Sequence, residues 1–351
     1  MNILENERYQ EDIKYASGAG IPWEKMENKS VLITGATGMI GSVIVDILMR
    51  RNREYGQNIH IYALSRSRQK LEERFQIYRE ESGFTCLSHD INNPLPELGR
   101  IEYILHAASN THPRSYSSDP IGTITANVQG TYHLLEYASS HDCECFFFFS
   151  SVEIYGENRN DISKFDEKYL GYIDCNTLRA GYPESKRLGE TLCNAFSVQK
   201  GQDFVIGRFS RVYGPTMSAE DSKAIAQFIR KAVEGEDIVL KSEGNQLYSY
   251  TYVVDAALAA LYLLLKGERG SAINIVDGAS DILLKDLASL LAGEAGTRVV
   301  FEKPDDKEKA GYSTATKAVL DGTRIQQLGW RAVTPIEQGI GRTIQILRQI
   351  R

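Results

Sequence analysis

The sequence predicts an α/β fold: a doubly wound parallel sheet with a smaller α+β domain after it. Three observations predict it. Six short runs, 30-SVLIT-34, 59-IHIYAL-64, 84-FTCLS-88, 101-IEYILHA-107, 145-CFFFFS-150 and 203-DFVIGRF-209, are apolar through most of their length. A strand with helices over both faces reads this way, since neither face meets water. Helix-length segments separate the runs, and 126-ANVQGTYHLLEYAS-139 has the apolar spacing of an amphipathic helix. The first run leads straight into a glycine turn, 35-GATGMIG-41, with another helix-like segment behind it.

Residues 1–29 read as a charged, partly helical extension, and the main domain is expected over 30–210. Beyond it the rhythm loosens. The stretch 222-SKAIAQFIRKAVEG-235 reads as a helix, 237-DIVLKS-242 as a strand, and 254-VDAALAALYLLLK-266 as a buried helix. The chain is expected to return to the sheet within 237–276, through 272-AINIV-276. Residues 211–351 are therefore expected to form a second, interleaved domain.

Composition excludes several classes. At 42% hydrophobic and 25% charged, the 351-residue chain is an ordinary globular protein. A net charge of −6 gives no reason to expect nucleic-acid binding. The longest apolar stretch, 256-AALAALYLLL-265, is shorter than the roughly 20 residues a bilayer demands. The first 20 residues are charged and do not resemble a secretory signal. The five cysteines lack metal spacing, so thiols in a reducing cytoplasm are expected, with no metal and no membrane partner.

The turn 35-GATGMIG-41 places glycines three apart. Gly35 permits the tight turn, Gly38 lets backbone approach a pyrophosphate, and Gly41 allows close helix–strand packing. The following helix start offers unpaired N–H groups to phosphates. A dinucleotide is therefore the expected cofactor. Where an acid would bind the ribose hydroxyls of NAD, the second strand ends in 62-YALSRSR-68. Ser65 and Arg66 stand there instead. NADP and NAD are both considered, with the arginine favouring the 2′-phosphate of NADP. Asp90, in 89-HDI-91, is placed to meet the adenine.

A second motif is 179-RAGYPESKRLGE-190, where Tyr182 and Lys186 stand four apart and share a face if helical. An ammonium beside a phenol favours the phenolate, so the Tyr182 pKa is expected to fall toward neutrality. A phenolate can take the proton of a sugar hydroxyl while hydride leaves the same carbon. The run of four phenylalanines ends in Ser150 and Ser151, with Glu153 two residues on. In a doubly wound sheet, ligands bind beyond the carboxyl ends of the strands, so these residues should face the glycine turn.

The motif order G-x-x-G-x-x-G, 106-HAAS-109, Asn127, S-S-x-E-x-Y-G, Y-x-x-x-K and 208-RFSRVYGP-215 resembles the extended short-chain dehydrogenase/reductase family. These are Rossmann-fold nucleotide-sugar epimerases, dehydratases and decarboxylases. The resemblance spans about 30–345 and includes 320-LDGTRIQQLGW-330. It implies that Ser151 bonds the substrate hydroxyl, that Tyr182 is the base, and that Lys186 also holds the nicotinamide ribose. It implies a cofactor set of Gly35, Thr37, Gly38, Met39, Ile40, Gly41, Ser65, Arg66, Asp90, Ile91, Ala107, Ala108, Ser109, Asn127 and Lys186. The implied substrate set is Ser109, Ser151, Tyr182, Arg208, Arg211 and Tyr248, for a nucleotide-diphosphate sugar. Val152-Glu153 and 179-RAGYPESKR-187 resemble UDP-glucuronate decarboxylases in particular.

Two positions depart from the family pattern. Tyr248 stands where an arginine commonly grips the diphosphate, and Arg211 stands where an asparagine precedes V-Y-G-P. A cation has thus changed walls, or the substrate differs. The expected function is nucleotide-sugar modification through a transient 4-keto sugar, with Glu153 acting after the first oxidation. Two rivals are a net NADP-dependent keto-sugar reductase and a non-catalytic NAD(P)-binding protein. A plain loop carboxylate is the alternative for Glu153. By the same resemblance a homodimer is expected, through 123–139 and 181–198.

Overall fold

The structure is a computed structural model that describes residues 2–111, 116, 118–303 and 315–351. In chain order its main elements begin with α1 (Glu7–Ser17), β1 (Ser30–Thr34), α2 (Met39–Tyr55), β2 (His60–Ser65), α3 (Arg68–Phe75), β3 (Phe84–Ser88) and β4 (Tyr103–His106). They continue with α4 (Pro120–Ser140), β5 (Cys145–Ser151), α5 (Gly181–Lys200), β6 (Phe204–Phe209) and β7 (Arg211–Tyr213). Then follow α6 (Ala224–Glu234), β8 (Ile238–Leu240), β9 (Leu247–Tyr252), α7 (Val253–Lys266), β10 (Ser271–Ile275) and β11 (Asp281–Leu283). The last are α8 (Leu284–Ala295), β12 (Val299–Phe301), β13 (Lys317–Ala318), α9 (Thr323–Gln327) and α10 (Ile336–Ile350).

Seven parallel strands form the central sheet, in the order β10-β6-β5-β4-β1-β2-β3. All six expected runs are strands of it, and β10 is the expected return of the chain. The order reverses between β1 and β4, which opens a crevice at their carboxyl ends. Phe146 and Phe148 pack on one face of the sheet, Phe147 and Phe149 on the other. Alternation within a fully buried strand explains why the phenylalanine run has no polar face.

The expected strand near 237 stands outside the central sheet: among the described residues β8 pairs in parallel with β12 alone. It is three residues long and flanked by charge at Asp237 and Lys241, so it forms a small outlying ladder. A further small sheet is organised on β9, which pairs in parallel with β7 and β13 and antiparallel with β11. This sheet carries Arg211 and Tyr248 to the open side of the crevice.

The N-terminal extension is a brace. Tyr9 of α1 is fully buried and donates to Asp46 of α2 at 2.5 Å, and Arg74 and Tyr78 meet the same carboxylate. The helix α7 is buried from Val253 to Leu265, as its composition demands. Among the described residues no helix is long and apolar enough to cross a membrane. All five cysteines are free thiols.

Candidate active site

The loop between β1 and α2 is shaped by contacts that only glycine allows. Gly35 has φ +66°, and a Cβ there would lie 2.8 Å from the Ala108 backbone. A Cβ on Gly41 would lie 2.5 Å from the Gly35 carbonyl. β1 and β4 therefore meet at their ends, held by Ala108 N–H donating to Thr34 Oγ1 at 3.2 Å. Gly38 caps α2 without a side-chain hydrogen bond, which leaves the first N–H groups of the helix facing the crevice. These features fit a pyrophosphate cradle.

The crevice is a cleft of about 1290 Å³. Lining it are Gly35, Thr37, Gly38, Met39, Ile40 and Gly41 from the first loop. Ser65 and Arg66 come from β2, Asp90 and Ile91 follow β3, and Ala107, Ala108 and Ser109 follow β4. Ser151, Glu153, Tyr182, Lys186, Arg211 and Tyr248 line the same cleft. Thr37 Oγ1 meets Ser65 Oγ at 3.1 Å, joining the first two strand exits.

Tyr182 lies one residue into α5, and Lys186 lies one turn further on the same face. Lys186 is buried and donates to the Phe149 carbonyl at 2.8 Å. Its Nζ stands 6.0 Å from the centre of the Tyr182 ring. Glu153 accepts from Arg179 at 2.8 Å. The Arg179 guanidinium lies 4.8 Å from the Tyr116 ring, which stacks on Tyr182 at 4.9 Å. A continuous train thus runs from Glu153 to the proposed base. Burial alone would raise the Glu153 pKa, but Arg179, then Arg211 and Lys223, hold it below its ordinary value. A loop carboxylate satisfied by backbone N–H groups does not describe it, because its hydrogen-bond partner is a side chain.

Comparison with known proteins places this geometry. The model of the NAD dependent epimerase/dehydratase family matches residues 31–276. The chain belongs to that family. It is thus an enzyme of the NAD-dependent epimerase/dehydratase type. The UDP-glucuronic acid decarboxylase 1 of Xenopus tropicalis is 27% identical over 325 residues, covering 92% of this chain and 73% of the relative. Among solved structures, the UDP-glucose 4-epimerase of Thermotoga maritima with UDP-glucose superposes with a TM-score of 0.78 at 22% identity, covering 92% of this chain and 99% of the other. The UDP-glucuronic acid 4-epimerase of Bacillus cereus, in complex with UDP-glucuronic acid and NAD, gives 0.76 at 22% identity, covering 92% and 100%.

Against this family pattern, two expected site residues stand elsewhere. Arg208 does not line the cleft: its guanidinium makes two bonds to Glu190, at 3.0 and 2.7 Å, and bonds Tyr155 and the Glu167 carbonyl. A strand-interior arginine is held by the nearest buried carboxylate, because leaving either charge unpaired is costly. Asn127 is fully buried behind the cleft wall, and its amide donates to Ser185 at 2.9 Å. It ties α4 to α5 and does not meet the cofactor pocket. Conversely, Tyr116, Arg179 and Lys223 line the cleft and were not singled out by the sequence. Arg179 had a signal, one helical turn before Tyr182; Tyr116 had none.

The expected acidification of Tyr182 is also corrected. Burial, then the Glu153 charge, push its phenol well above the ordinary value, against the opposing pull of Ser151 and Arg179. Burial pushes Lys186 down to about 7, despite Glu190. Desolvation disfavours the charged form of both groups and is the largest cause of each shift.

This has a consequence for stability. The unfolded chain holds the Lys186 proton up to its ordinary 10.5, the folded chain only up to about 7. Between these values the unfolded state binds more protons, so stability rises with pH, and the full cost of burying the charge falls below 7. Lys186→Met should flatten this slope and raise Tm by a few degrees on the acid side, partly offset by the bond lost to Phe149. Turnover should vanish. Thermal denaturation on both sides of pH 7 checks it; an unchanged slope would refute the buried-lysine account.

Proposed function

We propose that the chain modifies a nucleotide-activated sugar by oxidising C4, changing a carbon beside the resulting keto group, and reducing C4 again. The observation that carries this is the meeting of Ser151, Tyr182 and Lys186 with the glycine cradle in one cleft. The names of the three proteins compared above, each of which carries a UDP-sugar, support a nucleotide sugar here. A dinucleotide held here would supply the hydride acceptor for the oxidation and the donor for the reduction, so none would be consumed. Gly35 to Gly41 would hold its pyrophosphate, with Ser65, Arg66, Asp90 and Ile91 at one end and Ala107, Ala108, Ser109 and Lys186 at the other. Residues 30–210 would mainly serve the cofactor and 211–351 the substrate.

In this mechanism Ser151 holds the C4 hydroxyl and Tyr182 takes its proton. Burial makes that phenol a strong base once ionised, and Lys186 must carry its charge when Tyr182 does. Glu153, two residues beyond Ser151, faces the ring and is held ionised. The keto group acidifies the adjacent C–H, and Glu153 handles that proton; a carboxylate β to the keto group can instead leave as CO2. Incubating the purified protein with a panel of nucleotide sugars and NAD or NADP, read by mass spectrometry, tests the proposal. Failure to convert any of them would overturn it.

For the cofactor we propose NADP, since Arg66 and Lys70 line the cleft beside the end of β2. Arg66→Ala should then weaken NADP by about 1.5–3 kcal/mol and spare NAD. Equal affinity of the unchanged protein for both cofactors would sink that preference. A cytoplasmic homodimer through α4 and α5 fits the exposed Ile121, Tyr132, Leu188 and Val198 on those helices. A monomer in sedimentation equilibrium would exclude it.

A further inference from the structure

Among the described residues Arg211, a cation lining the cleft, has no acidic partner at bonding distance. β5 and β6 run in register with Ser151 opposite Phe209, and Glu153 and Arg211, each two residues beyond that pair, line the same cleft. Their proximity is felt electrostatically, because Arg211 is one of the three cations that lower the Glu153 pKa. The carboxylate nevertheless bonds to Arg179. Among the described residues Arg211 makes no salt bridge or hydrogen bond through its side chain, and its Nε is buried and unsatisfied. A buried donor of this kind is costly unless something completes it.

What fixes Arg211 is a ring. Its guanidinium lies 3.8 Å from the centre of the Tyr248 ring. That ring is buried, and its hydroxyl donates to the Ala315 carbonyl at 2.8 Å. The platform is therefore rigid at both ends, and the stacked face is shielded from water. Arginine suits this use, since its planar fork keeps its N–H donors free at the edge while the face is stacked. Arg179 neutralises Glu153, and Lys223, the third cation that lowers its pKa, pairs with Asp221 at 3.4 Å. Among the described residues Arg211 is thus the cation of this wall left without a carboxylate, and Arg179 Nη1 and Arg211 Nε are unfilled donors.

We infer that Arg211, held flat on Tyr248, is a specificity-determining receptor for an anionic oxygen group of the substrate, lying next to Glu153. This rests on the nucleotide-sugar reading and narrows it to a substrate that brings negative charge to this wall. Two parts of such a substrate have that chemistry: a carboxylate on the sugar ring, or the diphosphate. Tyr248 is a positioning residue that acts through Arg211.

The test is calorimetric binding of UDP, UDP-glucose and UDP-glucuronate to the NAD-loaded protein and its variants. Arg211→Gln should weaken binding roughly ten- to a hundred-fold. A loss confined to UDP-glucuronate assigns the carboxylate; an equal loss on all three assigns the diphosphate. Arg211→Lys, which keeps the charge but not the fork, should lose less. Tyr248→Leu should follow Arg211→Gln in the same ligands, whereas Tyr248→Phe, which keeps the ring but loses the anchor on Ala315, should lose less. If the unchanged protein binds and Arg211→Gln binds equally well, this inference falls and the nucleotide-sugar reading stands. If the unchanged protein binds none of the three, both fall.

Discussion

Tyr182→Phe should fold, bind the dinucleotide and lose turnover by ~10²–10⁴-fold, the usual cost of removing a general base. The ring stays packed against Tyr116, so stacking at 4.9 Å survives and only the hydroxyl is lost. Burial and Glu153 hold the proton on that hydroxyl. The proton can leave only if positive charge gathers beside it when substrate and dinucleotide are bound. The rate of the unchanged protein should therefore rise with pH, and this limb should be missing from the residual activity of the variant. Single-turnover absorbance of the reduced cofactor across pH checks both. Full activity in Tyr182→Phe removes the mechanism.

Glu153→Gln has the second-largest expected effect and a different signature. The variant keeps the shape and much of the hydrogen bonding but not the base. Cofactor reduction by substrate should persist while product formation falls, again by ~10²–10⁴-fold if Glu153 handles the proton. A 4-keto sugar should accumulate, and solvent deuterium should no longer enter the ring. The variant also leaves the partly buried Arg179 without its carboxylate, at a cost of about 1–3 kcal/mol. Its melting temperature must be measured beside its rate, because Arg179 stacks on Tyr116 and Tyr116 on Tyr182. A collapse of the oxidation step together with stability would mean that Glu153 acts through this train. Normal product formation would make Glu153 a bystander and leave a plain 4-epimerisation, in which no ring C–H exchanges.

The central sheet and the cradle were legible because both depend on short-range chemistry. A strand buried on both faces must be apolar throughout, and 145-CFFFFS-150 could be little else. Gly35 has positive φ, and Gly41 touches the carbonyl of Gly35 six residues earlier, so the turn encodes its own glycines. Tyr182 and Lys186 share a helix face by their spacing alone, and Ser151 follows from the end of its strand. The family resemblance drew on these same local features.

Other properties were decided only by the tertiary structure, because they depend on pairs far apart in sequence. Arg208 and Arg211 stand three residues apart, and no local pattern says which one is free. Glu190, on α5, takes Arg208 into a buried pair, whereas Arg211 is carried by β7 onto Tyr248 of β9. Asn127 is held behind the cleft wall by Ser185, and Glu153 is taken by Arg179. The Tyr182 pKa is raised and not lowered for the same reason. Spacing tells which two groups are neighbours, but the water excluded around them, a sum over the whole packed chain, sets the free energy of charging them.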